Sequence, residues 1–296
     1  MFVSLSDRVG IIPGGVNIGV LRADSDRLIL VDTGLNESSA KRVLKVIREL
    51  NFGQVVAILT THAHADHFGG NRTVVKRTSA KVYASAWDEA VLRYPLLLPV
   101  ALYGGADPLD TLRGSFFLAD ASPVDVIVEP GSIEIHGLQI EVVSLSGHSL
   151  NQVGYLVDGV FFCADVVLPE QALAKYKIPY LYSVTHHLAA LETASAVNCD
   201  HVVPGHGETL NDIQPLVEVN RDLLMAVMAE VKEVCRDWVS VDAVMTHVLT
   251  KFDAPVTDAA SFYLLQPTIY AMMTHMHRTS DVRHEVREGK SLWRAT

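Results

Sequence analysis

Residues 60–70 read Thr-Thr-His-Ala-His-Ala-Asp-His-Phe-Gly-Gly and follow directly on the apolar run Val55-Val56-Ala57-Ile58-Leu59. That run is short, rich in β-branched residues and ended by polar ones, which is the pattern of a buried strand. His62, His64, Asp66 and His67 therefore leave the end of one strand within six positions. Neutral imidazole and carboxylate suit zinc, manganese or iron. Asp66 and His67 are adjacent, so an extended chain cannot aim both of them the way His62 and His64 point. The expectation is two neighbouring metal positions sharing one loop. The chain has 13 His in 296 residues, and at that density a chance gathering of three with an Asp is the weaker reading.

Further candidates repeat the pattern of a strand followed by a ligand. His148 stands in Leu145-Ser146-Gly147-His148-Ser149, after the strand-like residues 138–143. Asp165 ends the apolar run Val160-Phe161-Phe162-Cys163-Ala164, and His206 lies in Val202-Val203-Pro204-Gly205-His206-Gly207. Glycine beside a ligand lets the backbone turn sharply and approach closely. Loops at strand ends, held by a rigid sheet, are the expected place for function. Taken singly, His148 or His206 reads more readily as an ordinary satisfied histidine. Together with residues 60–70 they complete a ligand set.

With these residues in view, the chain resembles the metallo-β-lactamase-fold superfamily. The His-x-His-x-Asp-His signature stands as His62-Ala63-His64-Ala65-Asp66-His67, and the early Asp motif as Val31-Asp32-Thr33-Gly34. The later motifs are matched by His148, Asp165 and His206, all in order over roughly the first 210 residues. The resemblance implies an α/β fold, an αβ/βα sandwich of two sheets between helical layers. It implies one metal site of His62, His64 and His148, a second of Asp66, His67 and His206, and Asp165 bridging the two. Asp32 would orient the loop or a ligand through hydrogen bonds. Two divalent ions are implied, zinc first, with iron or manganese open. Such a pair supports hydrolysis by a metal-bridging hydroxide and polarises a carbonyl or phosphoryl oxygen. One departure is that the motif before the bridging Asp is usually Gly-Asp and here reads Ala164-Asp165. Alanine fits unless the backbone there needs a positive φ.

Composition sets the surroundings. The chain is 49% hydrophobic and 20% charged, ordinary for a globular enzyme large enough to bury a substantial core. No apolar run approaches the length of a membrane helix. Met1-Phe2-Val3-Ser4-Leu5-Ser6-Asp7 has neither a basic segment nor a cleavage site. Cys163, Cys199 and Cys235 are odd in number and widely spaced, as expected of reduced thiols in the cytoplasm. Cys163 reads as a small buried hydrophobe rather than a redox group. The formal net charge of −10 argues against dependence on nucleic acid.

Along the chain, residues 28–31, 81–83, 126–128, 133–135 and 138–143 read as strands, and 38–50 and 84–92 as helices, the first capped by Asn36 or Ser38. Residues 154–157 and 160–163 form a hairpin turned at Asp158-Gly159. A helix over 185–197 leads into a strand at 201–203. Residues 93–122 hold an apolar, proline-interrupted stretch read as a long loop. It could be a lid or pocket wall over the metals, a homodimer contact, or a packing insertion. Within 168–187, Tyr182 and His186 are candidates to touch substrate or protonate a leaving group, against the reading of His186 and His187 as helix-start residues. With Asp66, they complete the catalytic candidates.

Three parts are expected. Residues 1–211 form the catalytic domain and 212–239 a connecting helix, with Leu216, Val219, Leu223, Val227, Val231 and Val234 as its apolar stripe. Residues 240–296 form two helices and a terminal hairpin, resembling the winged-helix-like tail of some lactamase-fold hydrolases and endoribonucleases. The tail is only mildly basic, so a structural or dimer-forming role is favoured over nucleic-acid binding. The function expected is metal-dependent hydrolysis of a small-molecule ester, thioester, lactone or amide. The rivals are a nuclease or phosphodiesterase of the same fold, and an iron-dependent persulfide dioxygenase, whose motif resembles residues 61–67. That second family's Arg- and Cys-containing motif finds no match in Val166-Val167-Leu168-Pro169. Glyoxalase II is similar around the metals, without a matching set of basic residues for its glutathione moiety.

Overall fold

The strand Arg27–Val31 shows how the layers are built. Leu28 and Leu30 bury into one hydrophobic cluster, Ile29 and Val31 into another. A strand buried on both faces is a central strand between a helical layer and a second sheet. The computed structural model describes residues 1–254 and 256–296. Its first sheet has seven strands in sequence order: β1 (Val3–Ser4), β2 (Val9–Ile12), β3 (Ile18–Arg22), β4 (Arg27–Val31), β5 (Gln54–Leu59), β6 (Lys81–Ser85) and β7 (Val126–Val128). β1 to β4 form an antiparallel meander, and β4 to β7 run parallel. Parallel neighbours need crossovers, supplied by α1 (Glu37–Glu49), α2 (Ala65–Phe68), α3 (Asn71–Thr78), α4 (Ala86–Arg93) and α5 (Leu97–Leu102). Asn36 caps α1, its side chain accepting from the Ser38 and Ser39 amides.

The second sheet has the order β12 (His201–Pro204), β11 (Val160–Ala164), β10 (Val153–Val157), β9 (Leu138–Ser144), β8 (Gly131–Ile135). Asp158 and Gly159 both take positive φ in the β10–β11 turn, as a tight hairpin requires. Between the sheets lie Ile29, Val31 and Leu59 from the first, with Ile140, Tyr155 and Phe162 from the second. α1 and α3 cover the outer face of the first sheet. The outer face of the second meets α7 (Val184–Ser195) and α8 (Gln214–Val234), with α6 (Glu170–Tyr176) just ahead of them. The result is the αβ/βα sandwich expected from the sequence.

After α8 come β13 (Val239–Ser240), α9 (Val241–Lys251), α10 (Ala259–Arg278), β14 (Val282–Arg287) and β15 (Lys290–Ala295), with a small sheet ordered β13-β15-β14. Their cluster is not closed on itself. It also takes Ile178, Leu181 and Val184 from the stretch leading into α7. Two expectations need correction. Residues 93–122 are not structureless: α5 and a 3-10 turn (Asp110–Arg113) form there, because Pro99 falls in the first turn of α5, where its missing N–H costs nothing. The buried face of α8 is rotated to Val217, Leu224, Val227, Met228 and Val231, leaving Val219 exposed. That helix serves two clusters in turn, so its stripe follows both neighbours.

Candidate metal centre

Four strand ends meet at one edge of the sandwich. β5 ends at Leu59, and the chain stays extended through His62 and His64 before α2 begins at Ala65. Asp66 and His67 sit in the first turn of α2. The change from extended to helical backbone is what aims the second pair away from the first. β9, β11 and β12 bring His148, Asp165 and His206 from the other sheet. Two hydrogen bonds lock the sheets together here, from the Val153 amide to the Thr61 carbonyl (2.9 Å) and from the Tyr155 hydroxyl to the Thr60 carbonyl (3.0 Å).

All seven residues expected to hold metal converge in overlapping groups: His62, His64 and His148; His62, His67 and Asp165; Asp66, His67 and His206. Their hydrogen bonds say which ring atom is free. His67 Nδ1 donates to Asp32 Oδ2 at 2.8 Å. His148 Nδ1 donates to the Tyr180 carbonyl at 3.1 Å, and His206 Nδ1 to the Gly15 carbonyl at 2.6 Å. Thr61 Oγ1 donates to Asp32 Oδ2 and so accepts from His62 Nδ1 (3.1 Å). With Nδ1 turned to an acceptor in four rings, Nε2 is the ring atom left facing inward in each, free to ligate once it has no proton. His62 Nε2 lies 3.0 Å from His64 Nδ1, and His148 Nε2 2.9 Å from the same atom. Asp165 stands between the groups, 3.4 Å from both His67 Nε2 and His206 Nε2, and 3.5 Å from His148 Nε2.

This donor set fits divalent ions. His67 Nε2 and Asp165 Oδ1 are buried with no hydrogen-bond partner among the described residues, a costly state that a cation at that point removes. A Cβ at Gly205 would fall 2.0 Å from Asp165 Oδ1 and 2.9 Å from His67 Cε1, so only glycine leaves these ligands room. Electrostatics divides the rings. Burial holds His64 down to about 4 and His148 down to about 3, and drives His62 well below the usual range. Asp165 raises His206 to about 10 against its burial. Burial also opposes charge on His67, yet the carboxylates of Asp165, Asp32 and Asp66 hold it well above the ordinary value.

The structure does not bring Tyr182 or His186 to the cavity. The Tyr182 side chain is exposed, while its amide donates to the Gly147 carbonyl at 2.9 Å and pins the His148 loop. His186 is exposed in the first turn of α7, where its amide is capped by Ser183. The aromatic residue at the centre is Tyr180, which lines the cavity with its ring centroid 5.4 Å from that of His64. Residues 177–183 are irregular, so no periodic signal in the sequence separates Tyr180 from Tyr182. Two supporting residues were also missed. Asn17 donates to the Pro204 and Gly207 carbonyls (3.0 and 2.9 Å), fixing the His206 loop. Asp88 accepts from the Ala63 amide and from Ser149 Oγ at 3.4 Å, tying two ligand loops together, and burial raises its carboxyl to about 7. A polar residue before an apolar strand and an Asp in a helix carry no signal of such roles.

The family profile described as the metallo-beta-lactamase superfamily matches residues 11–206. Among curated proteins, the chain is 25% identical over 229 residues to a linear primary-alkylsulfatase of a Pseudomonas species, covering 66% of this chain and 42% of that protein. It is 29% identical over 151 residues to a hydroxyacylglutathione hydrolase of Vibrio campbellii, covering 51% and 46%. The chain thus spans about half the length of these relatives or less. A beta-lactamase domain protein from Burkholderia ambifaria shares the fold with a TM-score of 0.79 at 19% identity, over 100% of this chain and 94% of that one. A metallo-beta-lactamase family protein from Thermus thermophilus does so at 0.73 and 16%, over 97% and 98%.

Proposed function

The chain belongs to the metallo-beta-lactamase superfamily, and from that premise we propose that it is a dinuclear metal-dependent hydrolase of a small ester, thioester, lactone or amide. The observation that carries this reading is the convergence of imidazole ring nitrogens around the buried carboxylate of Asp165. His62, His64 and His148 would hold one ion and Asp66, His67 and His206 the other, with Asp165 shared. Bound there, zinc, iron or manganese ions supply an activated water and polarise the oxygen of the scissile group.

The chain's own groups do the rest. Asp32 fixes the tautomer of His67 directly and that of His62 through Thr61. Asp66 lines the cavity. Burial works against its charge, but His67 and His206 hold it down to about 2, so it stays ionised and can orient a water by accepting its hydrogen bond. Burial pushes the Tyr180 phenol up to about 12. It therefore keeps its proton and can donate to an oxygen that gains charge. With Tyr182 and His186 outside the cavity, that part falls to Tyr180.

The relatives' names, an alkylsulfatase and a hydroxyacylglutathione hydrolase, agree with hydrolytic chemistry. Nuclease action is disfavoured. Lys175 is the one Lys or Arg among the described residues lining the cavity. In the tail, which we read as a winged-helix-like structural unit, Arg283 and Arg287 lie over the Trp238 ring. We keep 1–211, 212–239 and 240–296 as its parts. Among the described residues no helix is long and apolar enough to cross a membrane.

The test is metal analysis of purified protein together with a panel of esters, thioesters, lactones and amides. About two ions per chain and hydrolysis of one class, both lost in His64→Ala, are expected. Two ions with no turnover across the panel reject the hydrolase reading. One iron per chain with oxygen uptake on a persulfide puts the dioxygenase in its place.

A further inference from the structure

The metal-ligand residues form only one end of a cavity of about 1040 Å³. That is at the upper limit for small-molecule sites and more than a scissile group alone requires. Its remaining wall comes from three separate parts of the chain. Leu98 and Leu102 lie four residues apart on α5, so they share a face, and Phe116 and Phe117 follow. Leu168 and Ile178 come from either side of α6, and Leu264 and Leu265 from α10. These parts are packed on one another through Leu102, Phe117, Tyr180 and Leu264, so the wall is a built surface continuous with the metal centre. Phe116 is 51% exposed, an apolar ring at the mouth with no core role.

Charge on this wall is sparse. Beyond the ligand residues it has Lys175, Glu208 and Asp258. Lys175 Nζ donates to the Tyr176 hydroxyl at 3.0 Å. Asp258 caps α10 by accepting from the Ser261 amide at 2.8 Å. A polyanion or a zwitterionic peptide would find few partners here, whereas a hydrocarbon chain would replace water along most of its length.

We propose that this cavity binds an apolar chain, and that the substrate is an ester or thioester carrying such a chain, with its carbonyl at the metal end. The proposal rests on the hydrolase reading for the bond broken, and on the cavity wall alone for the chain.

The experiment uses the metal-loaded protein and 4-nitrophenyl esters from acetate to decanoate. kcat/KM is expected to rise roughly three- to fourfold per added methylene until the cavity is filled. Leu98→Asp and Leu264→Asp, half-buried positions on two different walls, should bring the decanoate-to-acetate ratio towards one while both ions are retained, and Phe116→Asp, at an exposed ring outside the core clusters, should lower that ratio with the thermal transition unchanged. A flat or falling chain-length series in the wild-type protein overturns the proposal. Calorimetric binding of 1-decanol and 1-hexanol separates the two readings. If no ester is turned over but decanol binds the more tightly, and that preference is lost in Leu98→Asp, the hydrolase reading fails and the chain site stands. Equal binding of both alcohols overturns the chain site.

Discussion

At the residue scale, the carboxylate of Asp32 accounts for much of the site's order. It sits at φ +60, a conformation Asp tolerates better than most residues. From there it accepts from the Thr61 amide (2.8 Å), Thr61 Oγ1 (2.8 Å) and His67 Nδ1 (2.8 Å). Ala164 shows the opposite case. The backbone before Asp165 does need a positive φ, +50, and alanine is strained there where glycine would not be. Ala164→Gly relieves about 1–2 kcal/mol of left-handed strain, offset by the loss of a buried methyl worth about 0.8 kcal/mol and by glycine's entropy of about 0.5–1 kcal/mol. Denaturant unfolding is expected to show stability nearly unchanged. A loss above about 1.5 kcal/mol would mean the strain is not relieved.

The split among the histidines predicts a pH dependence. In metal-free protein His206 keeps its proton up to about 10 and His67 is raised too, so an ion entering with Asp66 must displace protons. Its affinity should climb with pH through neutrality. His64 and His148, held at about 4 and about 3 by burial, are already neutral, so the first site should bind evenly above about pH 5. Chelator titration at pH 6 and pH 8.5 should find one tightly held ion at the lower pH and two at the higher. Equal loss of both ions on acidification would refute the assignment. The raised pKa of His206 also stabilises the metal-free fold below the unfolded value near 6.5. That contribution is lost as pH rises through about 10.

At the element scale, helix α10 does more than fill the tail. Thr268, fully buried on α10, donates to the Pro179 carbonyl at 3.1 Å and accepts from the Leu181 amide at 2.8 Å. It thereby holds the segment whose Tyr180 carbonyl positions His148. Thr268→Val keeps the shape but leaves both backbone groups unpaired, at a cost of about 1–3 kcal/mol each where no water enters. Thermal melting should record the destabilisation, and a Tm within one degree of wild type would show the tether to be idle. Regular elements were largely legible in the sequence. The strands at 28–31, 126–128 and 138–143 and the Asp158-Gly159 turn reappear almost unchanged, because alternation and turn chemistry are local signals. The meander β1–β3 and the helices α3 and α6 were not read. The residues of the meander and of α3 follow neighbours far off in sequence, and α6 buries only Leu173.

At the scale of the molecule, the residues that could hold metal lie within 62–206, while α10 walls the cavity from residues beyond 258. Removing residues 240–296 would uncover the cluster shared by Ile178, Leu181 and Val184 with α9 and α10. The truncated protein should aggregate or change oligomeric state on size-exclusion chromatography, while its soluble fraction still binds metal. A soluble monomer lacking both ions would show the tail to be part of the metal centre.

The candidate ligand residues could be named from sequence because each follows the end of an apolar strand in a fixed local motif, and His62 to His67 confine four of them to six positions. Those signals need no knowledge of what packs where. The conformation of Ala164, the support from Asn17 and Asp88, and the replacement of Tyr182 by Tyr180 were decided only in three dimensions. So was the apolar wall assembled from residues 93–122, 168–180 and α10. Each depends on which distant segment arrives opposite, and contacts between residues far apart in sequence leave no periodic trace along the chain.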